Sequence, residues 1–122
     1  MKEIHPKYVK QVQGEPHKRW FEDDYFDLLV WENELGQIVE FQLCYDKLHN
    51  QRSLIWKKQF GYMHSKIDDG ENNPGKYKAT PILVDDGVFN SAAIAERFRN
   101  RSKEIDTKVS TFVLEKMRDY RG

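Results

Sequence analysis

The densest set of side chains able to hold an ion or move a proton is His64, Asp68, Asp69 and Glu71. On a strand His64 and Asp68 point the same way but stand about 13 Å apart, because each residue advances ~3.3 Å. They share one ion only if the chain bends, while Asp69 and Glu71 fall in a polar loop that can fold back. With no second histidine at metal-ligand spacing, no metal site and no cofactor are expected. A second set is Glu22-Asp23-Asp24 with Asp27. Neighbouring carboxylates on an extended chain face opposite ways, so at most two of the four converge without outside help. A solvated loop ahead of a strand explains the run better than a cation site.

Cys44 and His49 are five apart across a strand end, and a thiol–imidazole pair is conceivable there. A lone strand cysteine is more often inert packing. Arg97, Arg99, Arg101 and Lys103 surround the end of a helical segment, where positive charge complements the helix dipole. Nucleic-acid binding would need a broader basic surface, and an isoelectric point near 6.9 disfavours it. Trp20, Trp31 and Trp56 suit a core better than ligand platforms.

The elements that must position these groups follow from periodicity. Residues 1–24 contain Pro6, Gly14 and Pro16 and show no sustained period, which predicts an irregular N-terminal arm anchored by Trp20 and Phe21. Residues 25–122 are then expected as a single α+β domain. Tyr25–Glu32 and Gln37–Tyr45 read as strands, joined by Asn33-Glu34-Leu35-Gly36 as a type I turn with Gly36 in the left-handed region. If Asn33 faces Gln37, Trp31 pairs with Val39, Leu29 with Phe41 and Asp27 with Leu43. Asp27 then sits on the better apolar face, where a carboxylate needs a partner or a proton. A slip of one residue would exchange the faces and remove that oddity.

Arg52–Lys58, Tyr62–Asp68 and an extended Pro81–Val84 add further strands, with a long polar loop over 69–78 and a turn at Asp85-Asp86-Gly87. Two helices close the chain. The first is capped by Asn90 or Ser91 and shows Ile94 and Phe98 on one face. The second starts at Asp106 or Thr107 and carries the stripe Val109, Phe112, Val113, Met117 and Tyr120. The expected architecture is an antiparallel meander of four to five strands with two C-terminal helices packed on one face.

Composition removes several classes. The chain has 122 residues, enough for one core. Aromatics at 13% and a formal net charge of zero exclude global disorder. One cysteine forbids an intramolecular disulfide and any multi-cysteine zinc site. No secretory h-region and no run of 18 apolar residues occurs, so a cytoplasmic protein away from membranes, intact from its first Met, is expected. No phosphate-loop, dinucleotide, zincin, nucleophile-elbow or EF-hand motif occurs. Charge is segregated all the same: residues 22–40 hold seven acidic and no basic groups, and 87–122 hold eight basic against five acidic. An acidic and a basic side follow.

The run Arg19-Trp20-Phe21-Glu22-Asp23-Asp24-Tyr25-Phe26-Asp27-Leu28, with Phe41–Asp46, Asp68–Glu71 and Thr80–Val84, resembles a group of short bacterial proteins of no assigned activity. That resemblance implies a bacterial single-domain protein and transfers no site residue.

The leading functional expectation is a non-catalytic module that binds a protein or small molecule through its sheet surface or loop 69–78. Trp20, Asp69 and Glu71 are its candidate contacts, and a second copy of the chain is a conceivable partner. The alternative is a metal-assisted or acid/base hydrolase using Asp27 and His64 as catalytic groups beside Asp68, Asp69 and Glu71. A pocket bringing two of those carboxylates to His64 would mark the enzyme.

Overall fold

Alternation over residues 37–45 and branched or aromatic side chains over 26–31 commit the middle of the chain to adjacent strands. The computed structural model describes residues 1–68, 82–85 and 91–120. Among these residues, seven strands run in sequence order across one antiparallel sheet: β1 (Lys2–Glu3), β2 (His17–Glu22), β3 (Phe26–Glu32), β4 (Ile38–Tyr45), β5 (Arg52–Lys57), β6 (Gly61–Asp68) and β7 (Ile82–Asp85). Two helices follow, α1 (Ser91–Arg101) and α2 (Thr107–Asp119). The protein is therefore α+β, as expected. The meander is longer than the four to five strands anticipated, with six strands of four residues or more plus the two-residue β1.

The extra strands come from the N-terminal segment. Residues 1–24, read as an irregular arm, contribute β1 and β2. β2 pairs along its whole length with β3, from His17↔Glu32 to Glu22↔Asp27. Phe21 is fully buried in the main core. Between β1 and β2, residues 4–16 form no strand, and they are tied back at two points. Ile4 N–H donates to Trp20 O, and the Gln11 side chain exchanges two 2.8 Å hydrogen bonds with the backbone of Lys18. Gln11 thus satisfies edge groups of β2 that β1 is too short to reach.

The turn at 33–36 forms as read: Asn33 N–H donates to Gln37 O, and Gly36 has φ +79°. The register beyond it does not. Trp31 pairs with Glu40 and Glu32 with Ile38, so Val39 is an extra residue, a β-bulge. Leu28 therefore faces Leu43 and Val30 faces Phe41. Phe26, Leu28 and Val30 go to the core, and Asp27, Leu29 and Trp31 to the other face. The expected placement of Asp27 beside Leu43 on the core face is corrected by this one-residue slip.

Both helices cover the face carrying Phe26, Leu28, Val30, Phe41, Leu43, Leu54 and Trp56. Phe98 of α1 meets Phe26 edge-on at 5.5 Å, and Phe112 of α2 meets Trp56 at 5.2 Å. Val109, Val113 and Met117 are fully buried, and Phe112 packs half-buried against the same cluster. Asp106 caps α2 by accepting from Lys108 N–H at 3.0 Å. Arg19 binds Glu3, Glu32 and Asp106 at 2.9–3.3 Å, fastening β1, β2 and β3 to the start of α2. Its hydrogen bond to Glu3 leads the effects that hold the guanidinium more firmly protonated than usual, against the cost of burial.

Candidate binding site

On the sheet face away from the helices, Lys18, Trp20 and Glu22 of β2 alternate with Arg19 and Phe21 of the core side. Trp20 lies beside Leu29, and Leu29 beside Gln42. Asp27 lies between Glu22 and Cys44. Residues 5–10 run past this patch. A short helical turn at Pro6–Tyr8 is set by His5, whose ring accepts from Lys7 N–H, and it lowers Val9 into a buried position. Between this segment and the sheet is a cavity of about 310 Å³, bounded by Tyr8, Val9, Trp20, Asp27, Leu29 and Cys44, with Lys10 and Lys18 at its edge.

Asp27 is half-buried here and firmly held. Its Oδ1 accepts from the Trp20 indole N–H at 3.2 Å and from Lys47 Nζ at 3.3 Å. Lys47 Nζ also donates to Asp23 O at 2.9 Å and lies 3.9 Å from Glu22. The carboxylate thereby anchors the Trp20 ring, which lines the cavity. Cys44 adds a thiol whose pKa burial pushes up, so it stays protonated near neutrality. Lys10 and Lys18 form no ion pair among the described residues. Apolar walls, a fixed indole and two uncommitted ammonium groups suit binding of a small molecule with an apolar body.

The remaining sequence candidates are placed elsewhere. His64 is buried on the helix side of the sheet, where its Nε2 lies 2.6 Å from the Tyr45 hydroxyl and its ring near Tyr45 and Tyr120. Asp27 and His64 are therefore on opposite faces, three strands apart, and the structure does not bring them together. Cys44 and His49 also separate: the thiol meets Gln42, and His49 lies 3.8 Å from Asp46. Asp69, Glu71 and the rest of loop 69–78 lie outside the described residues, as do Asp86, Gly87 and Asn90, and the Asp68 side chain is not described either. Among the described residues, no three His, Cys, Asp or Glu side chains converge as a metal would require. No described helix is long and apolar enough to cross a membrane.

Sequence reasoning singled out Trp20 and Asp27 but missed Tyr8, Val9, Lys10 and Leu29. Those residues join the site only once β2 is recognised and residues 5–10 are known to return across it. The adjacent Trp20 and Phe21, one aromatic for each face, were the available cue. No protein-family model, curated protein or solved structure matches this chain.

Proposed function

We propose that this protein is a non-catalytic binding module, and that the cavity between residues 8–10 and strands β2–β4 takes a small ligand with an apolar body and an anionic group. The observation that carries the reading is the pairing of an apolar, Trp20-walled cavity with the uncommitted Lys10 and Lys18 at its edge. The acidic group within it, Asp27, is already engaged by Lys47 and Trp20, so it serves as a scaffold rather than as a base. A cavity of this size lies at the small end of ligand sites, which suits a ligand of modest size rather than a large cofactor.

The dye 8-anilinonaphthalene-1-sulfonate has that chemistry, an apolar body with one sulfonate. Titrated into the folded protein, it should bind saturably at one site and quench emission from Trp20. Leu29→Glu places a carboxylate in the cavity from a half-buried position and should weaken the dye by about tenfold or more, a penalty of ~1.4 kcal/mol. Near-ultraviolet circular dichroism would establish that this variant remains folded. Dye binding that is unchanged in Leu29→Glu, or that appears only as the protein unfolds, would eliminate the site.

A further inference from the structure

A second cavity, of about 350 Å³, opens where the loop after β4 meets the last turn of α1. Asp24, Tyr25, Asp46, Lys47, Arg97 and Arg101 surround it, with His49 and Leu48 on the loop side. We infer that it is a carboxylate-binding site, in which the Arg97 guanidinium, held over the Tyr25 ring, receives the carboxylate of a singly charged acid. This site is separate from the Trp20 cavity and does not depend on it.

The charges around the cavity are committed with one exception. Arg101 binds Asp23 and Asp24, Lys47 binds Asp27 and approaches Glu22, and His49 lies against Asp46. Arg97, one turn before Arg101 on the same helix face, has no carboxylate partner among the described residues. Its guanidinium carbon instead stands 4.2 Å from the centre of the Tyr25 ring. Tyr25 is itself held edge-on to Phe26 at 4.8 Å, so the platform is anchored to the core.

The cation–π contact holds the guanidinium against the ring, and a guanidinium carries its N–H groups as a planar fork that matches a carboxylate in two parallel hydrogen bonds. Asp24 and Asp46 on the walls disfavour a second negative charge, which selects a monoanionic carboxylate over phosphate. The exposed Leu48 and the Tyr25 ring offer apolar surface for a short aliphatic body. Asp46 holds the loop in shape with a left-handed backbone at φ 57°, a conformation that Asp tolerates better than most residues. The carboxylate could come from a free acid or from the C-terminus of a peptide.

The test is a titration of the ¹⁵N-labelled full chain with N-acetyl-leucine, its uncharged amide, a short peptide ending in leucine, and inorganic phosphate. Arg97 and Tyr25 resonances are followed. The acid or the peptide should give saturable shifts, and the tighter of the two identifies the source of the carboxylate. The amide should bind at least about tenfold more weakly, as loss of a charge-assisted pair requires. Arg97→Gln should abolish the shifts and Arg97→Lys should restore only part of them, with melting temperatures of both close to that of the parent. The assignment is overturned by no saturable shift with acid or peptide, by equal response to the amide, by tighter binding of phosphate, or by shifts that survive Arg97→Gln.

Discussion

Asp23 closes the β2–β3 connection, and its removal should be among the costlier single changes outside the core. Oδ1 accepts from Tyr25 N–H at 2.8 Å and Phe26 N–H at 2.7 Å, while Oδ2 accepts from Arg101 at 3.2 Å and lies 3.8 Å from the N-terminal ammonium. The side chain is only 14% exposed, so in Asp23→Ala water replaces these bonds poorly. Loss of a side-chain cap on backbone N–H groups costs about 0.5–2 kcal/mol, and two donors are capped here. The Arg101 pair adds at most ~1 kcal/mol, because Arg101 is about one-third exposed and solvent screens it. The expected loss is about 2–3 kcal/mol for Asp23→Ala. Asp23→Asn, which keeps an acceptor at Oδ1, should lose about 1 kcal/mol.

The pH dependence has a definite sign. Burial alone would raise the Asp23 carboxyl, but the Phe26 and Tyr25 amides and Arg101 outweigh it and hold the pKa below the ordinary value. A carboxyl depressed in the folded state contributes its full stability above the unfolded pKa of about 3.9 and loses it as pH falls through the folded pKa. Urea unfolding of parent and Asp23→Asn should therefore show a gap that is constant from pH 5 to 7 and narrows below pH 4. An Asp23→Ala loss under about 0.5 kcal/mol at pH 7, or a gap that widens on acidification, would refute this account of the turn.

Three further outcomes are expected. Phe41→Ala removes a fully buried ring between Trp56 and Phe112 and should cost about 3–5 kcal/mol in urea unfolding; a loss near 1 kcal/mol would place the core elsewhere. Gly36→Ala forces a side chain into φ +79°, where the nearest atom is the flexible end of Lys108 at 3.7 Å, so backbone strain of about 1–2 kcal/mol should dominate; a neutral result would mean that the turn adopts another form. Cys44, buried and with its pKa raised, should react with iodoacetamide at pH 8 at least about tenfold more slowly in the folded protein than in urea; equal rates would show the thiol to be open to solvent.

Helix α2 was legible because its stripe has a single solution. Val109, Val113 and Met117 share one face, a capping Asp precedes them, and nothing competes. The hairpin turn was equally plain. What alternation could not reveal was the bulge at Val39, since strand β3 is apolar on both sides: Phe26, Leu28 and Val30 on one, Leu29 and Trp31 on the other. Asp27 alone distinguished them, and its misfit on the core face was the one sign of a slipped register. Strand β2 was hidden for a related reason. Arg19 occupies a core-side position that would ordinarily be apolar, and it is tolerated because three carboxylates from distant elements surround it. Such compensation is non-local, so periodicity within residues 17–22 cannot carry it.

The same non-local pairing explains how a chain of zero net charge can leave single cations at concave surfaces. The acidic run 22–32 is matched by remote cations: Asp23 and Asp24 by Arg101, Glu22 and Asp27 by Lys47, and Glu32 by Arg19 and Lys108. Each pair joins elements that the fold must bring together, so segregated charge along the sequence becomes cross-linking in space. The cations left over at the two cavities are those that no carboxylate meets among the described residues, Lys10 and Lys18 beside Trp20 and Arg97 over Tyr25. Lys47 stands between them, donating to Asp27 on one side and lining the Arg97 cavity on the other. Net charge measures only the sum. Unmatched positive groups at concave surfaces are a local property, and low-dielectric walls there concentrate their field on an approaching anion.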